Sequence, residues 1–169
     1  MNIDELRNLQ TPLKERYQQN PETARVTLKA NAQISEGITC KVDTGQALIK
    51  AGLHPATGGD GLSACSGDML LEALVACAGV TLGAVATSIG VELRDARVSA
   101  EGDLDFRGTL AVSKEAAVGF SAIRLNFHLD TDANEEQIAS LIKLTERFCV
   151  VFQTLSRNPE LTVSSSLNQ

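Results

Sequence analysis

Clustered positive charge is missing from this chain. Its 15 Lys and Arg lie scattered among 21 Asp and Glu, giving a net charge of -6. Phosphate binding needs a basic face, so no nucleic-acid partner is expected. The opening residues, Met1-Asn2-Ile3-Asp4-Glu5-Leu6-Arg7, place acid where a secretory signal carries a basic region and then an apolar run. Secretion is therefore not expected, and a cytoplasmic location is. Histidine is scarce, with His54 and His128 alone, and no two of the cysteines Cys40, Cys65, Cys77 and Cys149 have the close spacing of a zinc knuckle. Metal binding is set aside, and the irregular cysteine positions predict reduced thiols rather than a disulfide framework.

Charge is also missing from Ala73 to Val91. A bilayer span needs about 20 apolar residues, but Gly79, Thr81, Gly83, Thr87, Ser88 and Gly90 dilute this run, and no Lys or Arg closely flanks it. No membrane partner is expected. The stretch 68–89 instead predicts a helix apolar all round, surrounded nearly completely by whatever packs on it. Ser66 or Asp68 would cap its start, and Asp68 would also suit the helix dipole. Gly79 and Gly83, four apart, share a face fit for close packing.

The remaining elements follow from periodicity. Ile3, Leu6, Leu9, Leu13 and Tyr17 predict one or two short helices within 2–17, divided at Thr11-Pro12. From residue 24 the period becomes two. Val26, Leu28, Ala30 and Ala32 predict one strand, Ile38, Cys40 and Val42 a second, and 46–50 a third after an Asp43-Thr44-Gly45 turn, making an antiparallel meander. The glycines and proline of 54–61 predict a loop without regular structure. Ala96, Val98 and Ala100, continued by Leu104 and Phe106, predict a strand pair or a bulged long strand. Ile123, Leu125, Phe127 and Leu129 alternate with Arg124, Asn126, His128 and Asp130 in the clearest strand. Asn134-Glu135-Glu136-Gln137 resembles a capping box before a helix carrying Ile138, Leu141, Ile142, Thr145 and Phe148. Cys149, a further helical turn through Leu155 and a last strand over 161–164 complete the chain. Runs of strands around two main helices give an α+β class.

A buried helical cysteine is most often a small hydrophobe. That reading suits Cys40, and Cys65 reads as an incidental loop thiol. Cys77 and Cys149 stand in more specific surroundings. The run Asp68-Met69-Leu70-Leu71-Glu72-Ala73-Leu74-Val75-Ala76-Cys77-Ala78-Gly79-Val80-Thr81-Leu82, with Glu146-Arg147-Phe148-Cys149-Val150-Val151 far downstream, resembles the OsmC-like family of osmotically inducible protein C and the organic hydroperoxide resistance proteins. The resemblance implies an OsmC-like domain over 21–169 behind an N-terminal helical extension over 1–20. It implies antiparallel sheets wrapped around two central helices in an intertwined homodimer. It makes Cys77 the peroxidatic and Cys149 the resolving thiol of a peroxidase for organic hydroperoxides. No cofactor is then needed beyond an external thiol or dithiol reductant. The alternative is an OsmC-fold binding protein for a hydrophobic small molecule; a disulfide-exchange protein is a third reading.

A thiol in an apolar helix has a raised pKa, so a reactive Cys77 needs a cation or strong donors beside it. The best-known members of the family use an arginine of the loop before the helix, paired with a glutamate at the helix start. The loop 53–59 holds no arginine here, which leaves His54, Arg25 and Arg94 as candidates. Asp68 lies about 180° around the helix from Cys77 and roughly 13 Å along it. It cannot touch Cys77 of its own chain, and either meets the partner's Cys77 across a dimer or is only a cap. Glu72 is expected in a structural ion pair.

Overall fold

A computed structural model describes residues 2–5, 8, 10–11, 19–20, 31–34, 39–43, 48–111 and 113–167. Residues 3–5, 8 and 10–11 are helical, in line with the helices expected within 2–17, whose other residues, like most of the strand expected over 24–32, lie outside the described residues. Three short strands, β1 (Asn31–Ile34), β2 (Thr39–Asp43) and β3 (Leu48–Gly52), form the antiparallel meander, with Ala32 opposite Val42 and Cys40 opposite Ala51. A two-residue strand, β4 (Ala64–Cys65), joins β3 in parallel and runs directly into the long helix α1, Ser66–Ile89. The loop between β3 and β4 is not wholly irregular. Pro55–Thr57 makes one 3-10 turn, because Pro55 presets its φ and His54 Nδ1 accepts the Ala56 N–H at 3.0 Å.

The cap of α1 lies one residue before Ser66 and three before Asp68, the two expected caps. Cys65 is the N-cap and makes no side-chain capping bond, and Asp68 stands in the first turn, where its charge favours the dipole without capping. At the other end Gly90, at φ +73°, takes the left-handed conformation that ends the helix. The expectation of near-complete enclosure does not hold in the chain. Leu74, Ala78, Leu82, Val85 and Ala86 are buried, but Ala73, Ala76, Val80, Gly83 and Ala84 form an exposed stripe at helical spacing. By length and composition α1 could cross a membrane, with a mean hydropathy of 2.0. In this fold its other face packs on a strand pair and two helices.

The pair is β5 (Asp95–Asp103) and β6 (Ala122–Asp130), antiparallel, with Val98 opposite Phe127 and Ala100 opposite Leu125. Alternation puts Ile123, Leu125, Phe127 and Leu129 toward α1, as the sequence predicts. The strand read through Leu104 and Phe106 is shorter than expected. Asp105 accepts the Arg107 N–H at 3.0 Å and caps a one-turn helix, α2 (Phe106–Thr109). Helix α3, Glu135–Phe148, opens with the capping box, in which Asn134 Oδ1 accepts from the Gln137 N–H at 2.9 Å and Gln137 Oε1 accepts from the Asn134 N–H at 3.0 Å. Helix α4, Val150–Ser156, follows at once. Two apolar clusters result, one around Leu82 and Leu141, the other around Leu74, Ala78 and Cys149.

The last strand, expected over 161–164, is not formed. No neighbouring edge receives it among the described residues, so its backbone has no ladder to join. Leu161, Val163 and Leu167 are left almost fully exposed.

Candidate functional site

Cysteines 72 positions apart in sequence meet because α4 packs against the middle of α1. Cys149 forms the joint between α3 and α4. It ends α3 by donating its N–H to the Thr145 carbonyl at 2.9 Å, and its own carbonyl accepts the Gln153 N–H at 2.9 Å, the first bond of α4. Its extended backbone at φ -72°, ψ 108° turns the chain there and directs its fully buried side chain at α1. Cys77 is half-buried in the same cluster, beside Leu74 and Ala78. Both are free thiols, and each sulfur influences the other's ionisation.

Burial is the largest influence on each thiol and disfavours both thiolates. At Cys77 it is outweighed. The Val151 amide, the Cys149 thiol and the Val150 amide donate toward the sulfur, and together they hold its pKa below the usual thiol range. The Thr81 hydroxyl adds least, since it also donates to the Cys77 carbonyl at 2.8 Å. At Cys149 burial prevails. The Phe152 and Val151 amides favour its thiolate, but charge on Cys77 opposes it, and the pKa is pushed up. One thiol is thus set to ionise first, with the other held protonated as its donor. Alkylation is expected to follow: Cys77 reacts with iodoacetamide at lower pH than free cysteine does, and Cys149 only at higher pH. Peptide mass spectrometry across a pH series reads this order, and simultaneous labelling of both would contradict it.

The strongest influences on Cys77 carry no charge, and neither described candidate cation reaches it. Arg94 is held by Asp130 and Asp132 at the far end of β6. His54 is occupied elsewhere: its Nδ1 accepts the Ala56 N–H, and its ring stacks on Phe106 with centroids 4.9 Å apart. Arg25 lies outside the described residues. The donors Val150 and Val151 were missed in the sequence. The signal that could have found them is a helix restarting directly after Cys149, which leaves its first amides without intrahelical partners.

The family model for OsmC-like protein matches residues 58–164, more than half of the chain and inclusive of both thiols. The chain belongs to the OsmC-like family. Solved OsmC-like structures share its fold. An OsmC-like protein from Mycoplasma pneumoniae superposes with a TM-score of 0.66 at 17% identity, over 78% of this chain and 88% of the other. An organic hydroperoxide resistance protein, OsmC, from Legionella pneumophila gives 0.61 at 19% identity, over 79% and 91%. One from Elizabethkingia anophelis gives 0.62 at 16%, over 79% and 92%. No curated protein sequence gives a significant match.

Asp68 and Glu72 both lie apart from the thiol cluster of their own chain. Asp68 is exposed at the start of α1, where it lines a cavity of about 380 Å³ with His54, Cys65 and Phe120. Glu72 is exposed to solvent and forms no ion pair among the described residues, contrary to expectation, because water already solvates it. Cys65 is fixed in β4 opposite Gly52 rather than in a loose loop. Cys40 lies in β2. A second cavity, of about 390 Å³ and mostly apolar, adjoins the thiol pair through Leu74 and Phe152.

Proposed function

We propose that this OsmC-like protein reduces organic hydroperoxides with its two thiols, as part of defence against oxidative stress. The observation that carries the reading is the pair of free thiols packed in one cluster, one half-exposed and one buried, at the contact of α1 and α4. Two solved neighbours are named as organic hydroperoxide resistance proteins, which agrees with it. The Cys77 thiolate attacks the terminal peroxide oxygen. The O–O bond breaks, Cys77 becomes a sulfenic acid, and the departing alkoxide takes a proton to leave as alcohol. The Cys149 sulfur then displaces the hydroxyl, which leaves as water with the Cys149 proton, and a Cys77 to Cys149 disulfide forms. An external thiol or dithiol supplies the two electrons that restore both thiols. A cytoplasmic setting, where thiols are kept reduced, suits this cycle.

The same reading makes the protein a homodimer. The uncovered stripe of α1, in which Val80 is 76% exposed, supports it, as does the unpaired extended segment at 161–167. Asp68, with no partner in its own chain among the described residues, belongs in this reading to the subunit interface. The apolar cavity also favours a second reading, a binding protein for a hydrophobic small molecule in which Cys77 is a bystander. Peptide mass spectrometry after one equivalent of cumene hydroperoxide separates the two. The peroxidase gives a Cys77 to Cys149 disulfide; a binding protein returns both cysteines unmodified.

A further inference from the structure

The two cavities are separated by one side chain. Phe120 is common to both linings. Its ring fills the gap between β5 and the first turn of α1, and glycines make that gap possible. A Cβ at Gly102 would fall 2.4 Å from the ring, and one at Gly67 would lie 3.5 Å from its tip. The position is fixed just downstream, where the Ser121 N–H and hydroxyl both donate to the Asp103 carbonyl, at 2.9 Å and 3.1 Å.

What lies on each side differs in chemistry. The cavity next to the thiol pair is walled by Leu74, Ile123, Leu125 and Leu155. Its two hydroxyls, those of Ser121 and Ser156, are turned to the Asp103 and Phe152 carbonyls, so neither offers a proton to a ligand. Such a space suits a hydrocarbon chain and gives a polar body nothing to bond. Beyond Phe120 the lining gains the exposed Asp68, whose carboxylate disfavours a second negative charge, while the Asp103 carboxylate is held by Arg124.

We propose that Phe120 is the specificity-determining residue of this site: its ring ends the apolar cavity and sets the longest unbranched, uncharged alkyl chain that the protein accepts. The inference rests on the reading of an alkyl hydroperoxide as ligand, with its chain lying between Leu74 and Phe120. The glycine at 102 is the second half of the device, since any side chain there would drive the ring out of its place.

The test reads binding rather than turnover, so a protein that binds alkyl chains without reducing peroxides still gives an answer. The probes are n-alkanols from butanol to dodecanol, titrated calorimetrically into the wild-type protein, Phe120→Ala and Gly102→Ala. Wild-type affinity is expected to rise about fourfold per methylene, as burial of each methylene predicts, and then to stop rising at a limiting length. Both variants move that limit to longer chains, so that dodecanol binds each at least about tenfold more tightly than wild type while butanol binds all three alike. The proposal is overturned if folded variants, judged by far-ultraviolet circular dichroism, keep the wild-type limit. It is equally overturned if wild-type affinity never depends on chain length. A wild-type protein without peroxidase activity, with limits that still shift in the two variants, would count against the proposed chemistry alone.

Discussion

Replacing Cys77 with serine is expected to lower organic hydroperoxide consumption on the order of a thousandfold or more, because the nucleophile of the first step is lost. The amides of Val150 and Val151 remain in place, but a serine hydroxyl is far too weak an acid for them to ionise it. Cys149→Ser should behave differently. It leaves the attacking thiol intact and removes the group that resolves it, so one equivalent of hydroperoxide is consumed and turnover then stops. The Cys77 sulfenic acid persists in that variant and is trapped by dimedone. A xylenol orange assay for residual peroxide, read at one and at many equivalents, distinguishes the two variants. Equal rates for wild type and Cys77→Ser would end the peroxidase reading and leave the binding protein in its place.

The second large effect lies at Leu74. Its side chain is 1% exposed and packs against Ala78 and Cys149 on one side while walling the apolar cavity on the other. Leu74→Ala leaves a void where the side chain packs between that cavity and Cys149. Because the backbone of α1 cannot collapse into the space, a loss of about 3 kcal/mol is expected. Urea unfolding at one fixed protein concentration measures it, since any subunit association adds a concentration-dependent term. A loss below about 1 kcal/mol would mean that the leucine is not closing this part of the core.

Elements whose physics is local were legible in the sequence. β6 declares itself by strict alternation over Ile123, Leu125, Phe127 and Leu129, and α3 by a capping box whose two bonds join residues three apart. Elements that depend on a partner were not. The segment 161–167 has the apolar alternation of a strand but no edge beside it among the described residues. Phe106 continues the alternation of β5 until Asp105, a polar residue with a free side-chain oxygen, captures the next amide and starts a helix. The full apolar circumference of α1 is plain in its residues, yet a sequence cannot say which part of it a single chain covers.

At the site the same division holds. The surroundings of Cys77 and Cys149 singled out two cysteines that the fold brings into one cluster. The sequence points to charge beside Cys77, in an arginine or a protonated histidine. The structure supplies uncharged donors instead, from residues more than 70 positions away that reach the sulfur only once α4 has docked. Periodicity carries no trace of such an encounter.

The elbow at Cys149 has a bearing on how the cycle would close. With no exposed surface on that residue, a reductant could reach a Cys77 to Cys149 disulfide only from the Cys77 side. Thiol exchange is attack on one sulfur with departure of the other. Regeneration therefore has a polarity: the mixed disulfide forms on α1, and Cys149 is always the leaving group. Its raised pKa slows that departure, while the Phe152 and Val151 amides receive the sulfur as it leaves. The turn between two helices thus decides which of two chemically alike atoms meets the outside world.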